Sequence, residues 1–331
     1  MSKYFQPLIN FGPDPMKDCS FLADSIFWFD RVKVFQRNKR SIIVSYKNIP
    51  KKVIKEISNS FNICGHDKRP LIMGVLNLSP DSFSDKISKT NISSSIQRLI
   101  EEGASIIDIG GVSTKPNFDE VETHVEINRI KKGFHFIKKK YSNFTVSIDT
   151  RNSIVADYAL SKGASILNDV SSLQFDPQTI DVVKKYQCFV SIMHNSGSGK
   201  EIHKKLTGKD YLLEIYDYLS DRINFLVSNG IPKSRIIIDP GIGFGKSLAQ
   251  NLGIIANISL YHSLGCPILV GLSRKGFIGK ITGVVQPKKR MLGSVLLAFE
   301  LIKKGVHIIR VHDIKETNEM IKIFNSLKFD N

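Results

Sequence analysis

The chain has 331 residues, enough for one large domain or two small ones, and its 42% hydrophobic and 24% charged residues can bury a core and exclude disordered or collagen-like chains. Lys and Arg number 47 against 31 Asp and Glu, a formal charge of +16 that favours anionic partners without choosing among nucleic acid, an acidic surface and a phosphorylated small molecule. The basic residues are scattered among Ile and Asn and are not interleaved with aromatics, so the expectation is solvated faces and no nucleic-acid partner. No apolar run reaches the roughly 18–20 residues of a membrane helix, and Asp14, Lys17 and Asp18 stand where a signal peptide would be apolar. The expectation is therefore a cytoplasmic protein with no membrane partner. Cys19, Cys64, Cys188 and Cys266 are far apart and give neither a disulfide framework nor zinc-ligand spacing; Cys188 and Cys266 read as small core residues.

In chain order, residues 27–46 read as two β-rich runs around the polar turn Arg37-Asn38-Lys39-Arg40. An isolated hairpin is marginal in water. Residues 1–70 are therefore predicted to be an N-terminal extension that packs on the remainder and has no activity of its own. From residue 71 onward, eight short apolar runs follow: Leu71–Leu76, Ser105–Ile109, Phe144–Ile148, Ser165–Leu167, Cys188–Met193, Arg235–Ile238, Pro267–Gly271 and His307–Val311. Amphipathic stretches such as 151–162, 177–186, 208–229 and 291–304 lie between them. Gly103, Gly163, Gly230 and Gly305 fall just before the next run, where a helix stops in the left-handed conformation. Eight such units over 71–331 predict an α/β fold, a (β/α)8 TIM barrel; a doubly wound open sheet is the alternative, because spacing alone does not show closure.

A barrel builds its active site at the C-terminal ends of its strands, and those ends are polar here. They carry Asn77, Asp108, Asp149-Thr150, Asn168-Asp169, Met193-His194, Asp239, Ser273-Arg274-Lys275 and Arg310-Val311-His312-Asp313. A buried run ending in a carboxylate is costly unless the carboxylate meets a cation, a metal or a donor-rich ligand. Taken singly, Asp149 is as readily a helix N-cap. Three carboxylates, two Asn, a Lys and an Arg/His pair converging on one mouth point to a polar ligand with N–H donors and an anionic group. The segment DPGIGFGKS is not a Walker A loop, since Pro240 occupies the first glycine position, and its glycines at 241, 243 and 245 do not fit GxGxxG.

The segments LIMGVLNLSPDSFSD, IIDIGGVSTKP, VSIDT, ILNDVS, IMH, IIIDPGIGFGKSLAQNL, ILVGLSRKGFIG, GSVLLA and RVHD occur in the order found in dihydropteroate synthases, so that 71–320 resembles that family. The resemblance implies a barrel, a homodimer, and the condensation of p-aminobenzoate with 6-hydroxymethyl-7,8-dihydropterin pyrophosphate to dihydropteroate and pyrophosphate, with Mg2+. By motif position it implies Asp108, Asp149, Asn168, Asp239 and Lys275 for the pterin ring. It implies Asn77, Thr114, Lys115, Arg310 and His312 for pyrophosphate, Asn77 also meeting Mg2+. Phe83, Pro116, Phe244, Lys275 and Gly276 would form the amine pocket, and Asp85, Asp149 and Lys275 would be catalytic.

A neutral arylamine attacking a pterin cation formed by early loss of pyrophosphate needs no protein nucleophile, which fits the lack of a Ser/His/Asp or Cys/His arrangement. The chain departs from the family pattern at Val112, Lys115 and Asn117 in the second loop, at Lys86-Ile87 in the first, and at Gly276, where Ser is frequent. These departures bear on loop geometry, aminobenzoate affinity and sulfonamide response. They motivate one alternative, a degenerate pterin-binding paralogue without turnover. A pterin-dependent methyltransferase domain is another, against which the pyrophosphate-binding elements argue, because a methyl donor expels no pyrophosphate.

Overall fold

A computed structural model describes residues 2–12, 18–22, 26–67, 70–79, 92–112, 121–197, 201 and 203–327. Six short strands come first: β1 (Tyr4–Pro7), β2 (Asn10–Phe11), β3 (Ser20–Phe21), β4 (Phe27–Phe29), β5 (Arg31–Phe35) and β6 (Ile42–Ser45), followed by helix α1 (Lys51–Ile57). Eight further strands are β7 (Leu71–Asn77), β8 (Ile106–Gly110), β9 (Thr145–Asp149), β10 (Ile166–Asp169), β11 (Phe189–Met193), β12 (Ile236–Asp239), β13 (Leu269–Gly271) and β14 (Ile308–Val311). The helices between and after them are α2 (Ile92–Glu101), α3 (Thr123–Lys140), α4 (Ser153–Ser161), α5 (Thr179–Tyr186), α6 (Tyr211–Ser228), α7 (Leu248–Ala256), α8 (Gly276–Thr282), α9 (Met291–Lys303) and α10 (Ile314–Ser326).

The eight strands pair in parallel in the order β12-β11-β10-β9-β8-β7-β14-β13, and a parallel bridge from Ile238 to Ile268 joins the two ends. That bridge closes the barrel, which strand spacing did not decide. All eight predicted runs form strands, and Gly103, Gly163, Gly230 and Gly305 all have positive φ behind their helices.

Alternation along each strand sorts its residues between the interior and the helices. Leu71, Met73, Ile106, Ile166, Phe189, Ile237, Leu269 and Ile308 form one buried cluster inside the N-terminal half of the barrel. Two residues further along, on the same inward face, stand Asp108, Ser147, Asn168, Ser191, Asp239 and Arg310. The interior thus changes from an apolar layer to a polar one along the strand direction, with the polar layer toward the mouth.

The extension covers the other end. Ile63 and His66 pair across a tight turn, and Phe61, Ile63 and Cys64 pack into the interior apolar cluster as a floor. Phe61 meets His307 edge-on at 5.2 Å, and His66 Nε2 lies 3.1 Å from Thr145 Oγ1. The rest of the extension grips the outside: the Tyr4 hydroxyl donates to Asp217 at 3.0 Å, Arg37 donates to the same carboxylate at 2.7 Å, and Phe11 and Phe27 pack on Phe324 of α10. The predicted hairpin is present as β5 and β6, with Asn38 in the left-handed conformation at the turn. Its first run, however, breaks at Asp30: β4 pairs with β2 and β3, while β5 lies between β1 and β6.

Ile63 is 3% exposed. Its replacement by Ala is expected to cost about 3 kcal/mol through lost burial and the cavity left in the floor. Urea denaturation checks this, with an unchanged midpoint as the contrary result.

Candidate active site

At the mouth, the strands β8, β9, β10, β12 and β14 bring Asp108, Asp149, Asn168, Asp239 and Arg310 together. Arg310 donates from Nε to Asp108 Oδ2 at 2.6 Å and from Nη2 to Asp149 Oδ2 at 2.8 Å, so one guanidinium spans two carboxylates. Asn168 Nδ2 donates to Asp108 Oδ2 at 3.2 Å. Asp108 Oδ1 is buried and has no hydrogen-bond partner among the described residues. Burial, reinforced by Asp108, raises the Asp149 pKa against the opposing pull of Arg310. Asp149 is not the cap of α4: Asn152 takes that place, its Oδ1 accepting from the N–H groups of Ile154 and Val155. The cap reading fails because Asp149 lies inside the barrel strand and faces Arg310.

Asp239 ends β12 and accepts the Gly241 N–H at 2.7 Å. Burial raises its pKa, with Lys275, the Gly241 N–H, Lys246 and Arg310 opposing. Lys275 comes from the turn after β13 and donates to the Ile242 carbonyl; its ammonium also lies over the Phe244 ring, 4.6 Å from the centroid. Burial pulls the Lys275 pKa down to about 8, Asp239 opposing this and Arg310 adding to it. The glycine-rich loop must pass close to this lysine. A Cβ on Gly243, whose φ is +86°, would lie 2.7 Å from Lys275 Cδ. Phe244 is half-buried against Val170 and Met193, with His203 stacked on it at 5.1 Å.

His312 is exposed at the mouth, and its backbone N–H and Nδ1 both lie 3.2 Å from Ser273 Oγ. Arg274, in the left-handed conformation, binds Asp313 through Nε and Nη2. Gly276 opens α8, and a Cβ there would meet nothing within 4 Å, so a serine side chain fits without displacement. Phe83, Asp85, Lys86, Ile87, Thr114, Lys115, Pro116 and Asn117 lie outside the described residues.

One contact at the mouth emerges only from the fold. Lys246 donates to the carbonyls of Phe244 at 3.1 Å and His194 at 3.3 Å, and lies 3.0 Å from His194 Nδ1. Burial, then Lys246, pulls His194 down to about 3, so its ring is neutral and Nδ1 accepts. Lys246 itself is pulled down to about 7 by burial, with Asp239 opposing. The DPGIGFGKS segment contains this lysine, yet its histidine partner stands 52 residues away in sequence. Asp169 has a different part: its carboxylate accepts from Ser171 N, Ser171 Oγ and Leu173 N and holds a turn in which Ser172 and Leu173 both have positive φ.

No group of three or more His, Cys, Asp or Glu side chains placed to hold a metal occurs among the described residues. Asn77 Oδ1, at the end of β7, accepts the Ser79 N–H at 3.0 Å and retains a second lone pair. This donor set fits a hard cation whose other oxygens come from water and a bound anion, not a protein cage.

A closed eight-stranded barrel with buried carboxylates at its mouth, two of them paired to one Arg, defines a class of enzyme, and the chain belongs to it: residues 73–312 match the family of pterin-binding enzymes. The relatives sharpen this. The dihydropteroate synthase of Haemophilus influenzae is 34% identical over 78% of this chain and 94% of its own length, and that of Escherichia coli K12 is 35% identical over 77% and 90%. Among solved structures, the dihydropteroate synthase of Xanthomonas albilineans with 4-aminobenzoic acid has a TM-score of 0.75 at 33% identity, covering 82% of this chain and 99% of that one. The same enzyme in complex with 7,8-dihydropteroate has a TM-score of 0.71 at 32% identity, covering 80% and 95%.

Proposed function

We propose that the protein is a transferase that condenses 6-hydroxymethyl-7,8-dihydropterin pyrophosphate with p-aminobenzoate, releasing pyrophosphate and 7,8-dihydropteroate. The observation that carries this reading is the set of buried carboxylates at the mouth, with Asp108 Oδ1 lacking a partner among the described residues. A pterin ring offers a 2-amino and N3–H edge, and a carboxylate accepts such an edge in two parallel bonds. We assign that edge to Asp239, other polar ring atoms to Asp108, Asp149 and Asn168, and ring acceptors to Lys275.

The three carboxylates Asp108, Asp149 and Asp239 are matched by Arg310, Lys246 and Lys275. The pocket therefore suits a ring with little net charge, and the pyrophosphate needs further positive charge. Asn77, Thr114, Lys115, Arg310 and His312 are assigned to it, the further positive charge coming from Lys115, since Arg310 is already shared with Asp108 and Asp149 and burial pulls the His312 pKa down to about 4. Asn77 would hold Mg2+ alongside the pyrophosphate oxygens, and the ion would neutralise leaving-group charge. As positive charge develops on the pterin methylene carbon, Asp149 stabilises it from the interior and Asp85 from the first loop. The neutral amine, seated by Phe83, Pro116, Phe244, Lys275 and Gly276, then attacks that carbon and loses one N–H proton to the departed pyrophosphate or to water, and the same seat would take a sulfonamide. No protein group needs to form a bond to carbon.

The exposed apolar side chains Ile281 and Val285 near α8, and Leu292 and Leu296 one turn apart on α9, support a homodimer through this face. Sedimentation velocity reads that state.

Equilibrium binding tests the reading. Dihydropterin pyrophosphate is expected to bind the wild-type protein with Mg2+, and a wild-type protein that does not bind it would refute the assignment. The lysine gives a pH signature. Lys275 must be charged to donate to ring acceptors, and a lysine with a depressed pKa loses its proton as pH rises, so kcat/KM should fall as pH rises through about 8. A profile flat from pH 7 to about 9.5 would contradict that role.

A further inference from the structure

The segment GSVLLA lies on α9 and has no part in the site described above, yet its first two residues meet the turn that carries Lys275. A Cβ on Gly293 would lie 2.6 Å from Ile278 Cγ2, so the glycine lets α9 close on α8. Ser294, which is buried, then reaches the turn between β13 and α8. Leu272 to Lys275 close that turn, the Lys275 N–H lying 3.3 Å from the Leu272 carbonyl, and Arg274 is its third residue, with a φ of 59°. Glycine or asparagine ordinarily takes such a place, because Cβ crowds the following carbonyl oxygen there. Strain of this kind persists only where neighbours over-determine the conformation. Arg274 has such neighbours. Its N–H donates to Ser294 Oγ at 2.9 Å, the Ser294 hydroxyl donates to the Arg290 carbonyl at 2.8 Å, and Arg290 Nη1 donates to the Arg274 carbonyl at 3.0 Å. Both backbone polar groups of Arg274 are thus tied to the start of α9. The other two Arg290 nitrogens donate to the carbonyls of Val284, at 2.9 Å, and Val285. A Cβ on Gly279 would lie 2.6 Å from Arg290 Nε, so α8 leaves this guanidinium its space. Asp313 takes the Arg274 side chain itself. A glycine at 274 would adopt the same φ freely but would give Asp313 nothing to hold.

We infer that Ser294 and Arg290 are positioning residues for Lys275: from α9 they hold the left-handed turn at Arg274, and the turn sets where the next side chain leaves the backbone. Lys275 needs this because its slot is narrow. Its ammonium donates to the Ile242 carbonyl and lies 4.6 Å from the Phe244 centroid, and a Cβ on Gly243 would stand 2.7 Å from its Cδ. An Arg274 relaxed out of the left-handed region would rotate the peptide that leads into Lys275 and withdraw the ammonium from the mouth. The inference rests on the pterin reading of the mouth and extends it to two residues assigned no contact with either substrate.

The test uses Ser294→Ala and Arg290→Met, each alone and each in a Lys275→Ala background. Dihydropterin pyrophosphate binding is measured by titration calorimetry, the pH profile of kcat/KM by product formation, and stability by thermal denaturation without ligand. Ser294→Ala keeps the test readable if Arg290→Met folds poorly, because alanine is the better helix former within α9. Each variant should weaken binding roughly fivefold to tenfold, as the fraction of molecules with Lys275 in its slot falls. Neither should weaken it further once Lys275 is alanine, because residues that act through one group are not additive. Lys275 faces Asp239 and Arg310, and burial is what pulls its pKa down to about 8; a lysine freed from the slot is better solvated, so the alkaline limb should move to higher pH in both variants. Where Lys275→Ala binds too weakly to titrate, the limb alone decides. Affinity and limb equal to wild type, with or without a lowered thermal midpoint, would assign these contacts to packing and overturn the inference while leaving the function intact. Equal weakening with and without Lys275 would overturn it as well. A wild-type protein that does not bind dihydropterin pyrophosphate would instead remove the pterin reading and this inference with it.

Discussion

Asp239→Asn should reduce kcat/KM for dihydropterin pyrophosphate by about 10³, since two charge-assisted hydrogen bonds at roughly 2 kcal/mol each amount to about three decades. The substitution is chosen to separate chemistry from folding. An Asn Oδ1 can still accept the Gly241 N–H that Asp239 holds at 2.7 Å, so the glycine-rich loop keeps its anchor, but the amide cannot accept a donor edge at both atoms. The thermal midpoint should consequently stay close to that of the wild type. Asp239→Ala removes the anchor as well and should abolish turnover with some loss of stability. Lys275→Ala should likewise abolish turnover while unfolding remains cooperative. A fully active Asp239→Asn or Asp239→Ala enzyme would sink the assignment of the pterin edge to this carboxylate.

The second large effect is expected at Arg310. Its guanidinium is the shared partner of Asp108 and Asp149, at 2.6 and 2.8 Å, and Arg310→Leu leaves two carboxylates facing each other in the barrel interior. Removing one member of a buried ion network typically costs about 3–5 kcal/mol because of the uncompensated charge that remains. The sign of the pH dependence follows from Asp149. Its pKa is raised in the folded protein relative to the unfolded chain, and removal of Arg310 takes away the main opposing influence. A carboxylate with a raised folded-state pKa is tolerated below its unfolded pKa, near 4, and increasingly destabilises the fold as pH rises from there to the folded value, beyond which the penalty is constant. The deficit of Arg310→Leu should therefore be largest above neutrality and shrink as pH falls toward about 4.5. Denaturant melts across that range read this directly, and a deficit that does not depend on pH would show that Arg310 acts by packing alone.

The barrel was legible in the sequence for a physical reason. Parallel strands buried on both faces read as short continuous apolar runs, and all eight were visible, from Leu71–Leu76 to His307–Val311. Polar residues ending those runs marked the mouth, because a buried strand seldom ends in Asp without a partner. What stayed hidden was who partners whom. Arg310 meets Asp108 across 202 residues and Asp149 across 161, and Lys246 meets His194 across 52, so no local spacing reports these pairs. Asp149 read as well as a cap because its neighbour Asn152 has the same chemistry, and only strand register separates the two. The floor made by Phe61, Ile63 and Cys64 was hidden too, since a short apolar turn acquires that part only when the barrel end it fills exists. The break at Asp30 has a similar origin, with neighbouring strands claiming the two halves of one β-rich run.

Product formation tests the central claim most directly. Purified protein is supplied with dihydropterin pyrophosphate, Mg2+ and p-aminobenzoate, each is omitted in turn, and both pyrophosphate and dihydropteroate are measured. Equimolar pyrophosphate and dihydropteroate are expected only when all three are present. Tight pterin pyrophosphate binding with no amine-dependent release would contradict it, and would make the chain a pterin-binding protein whose altered loops, at Val112 and Lys115 first, have lost the reaction.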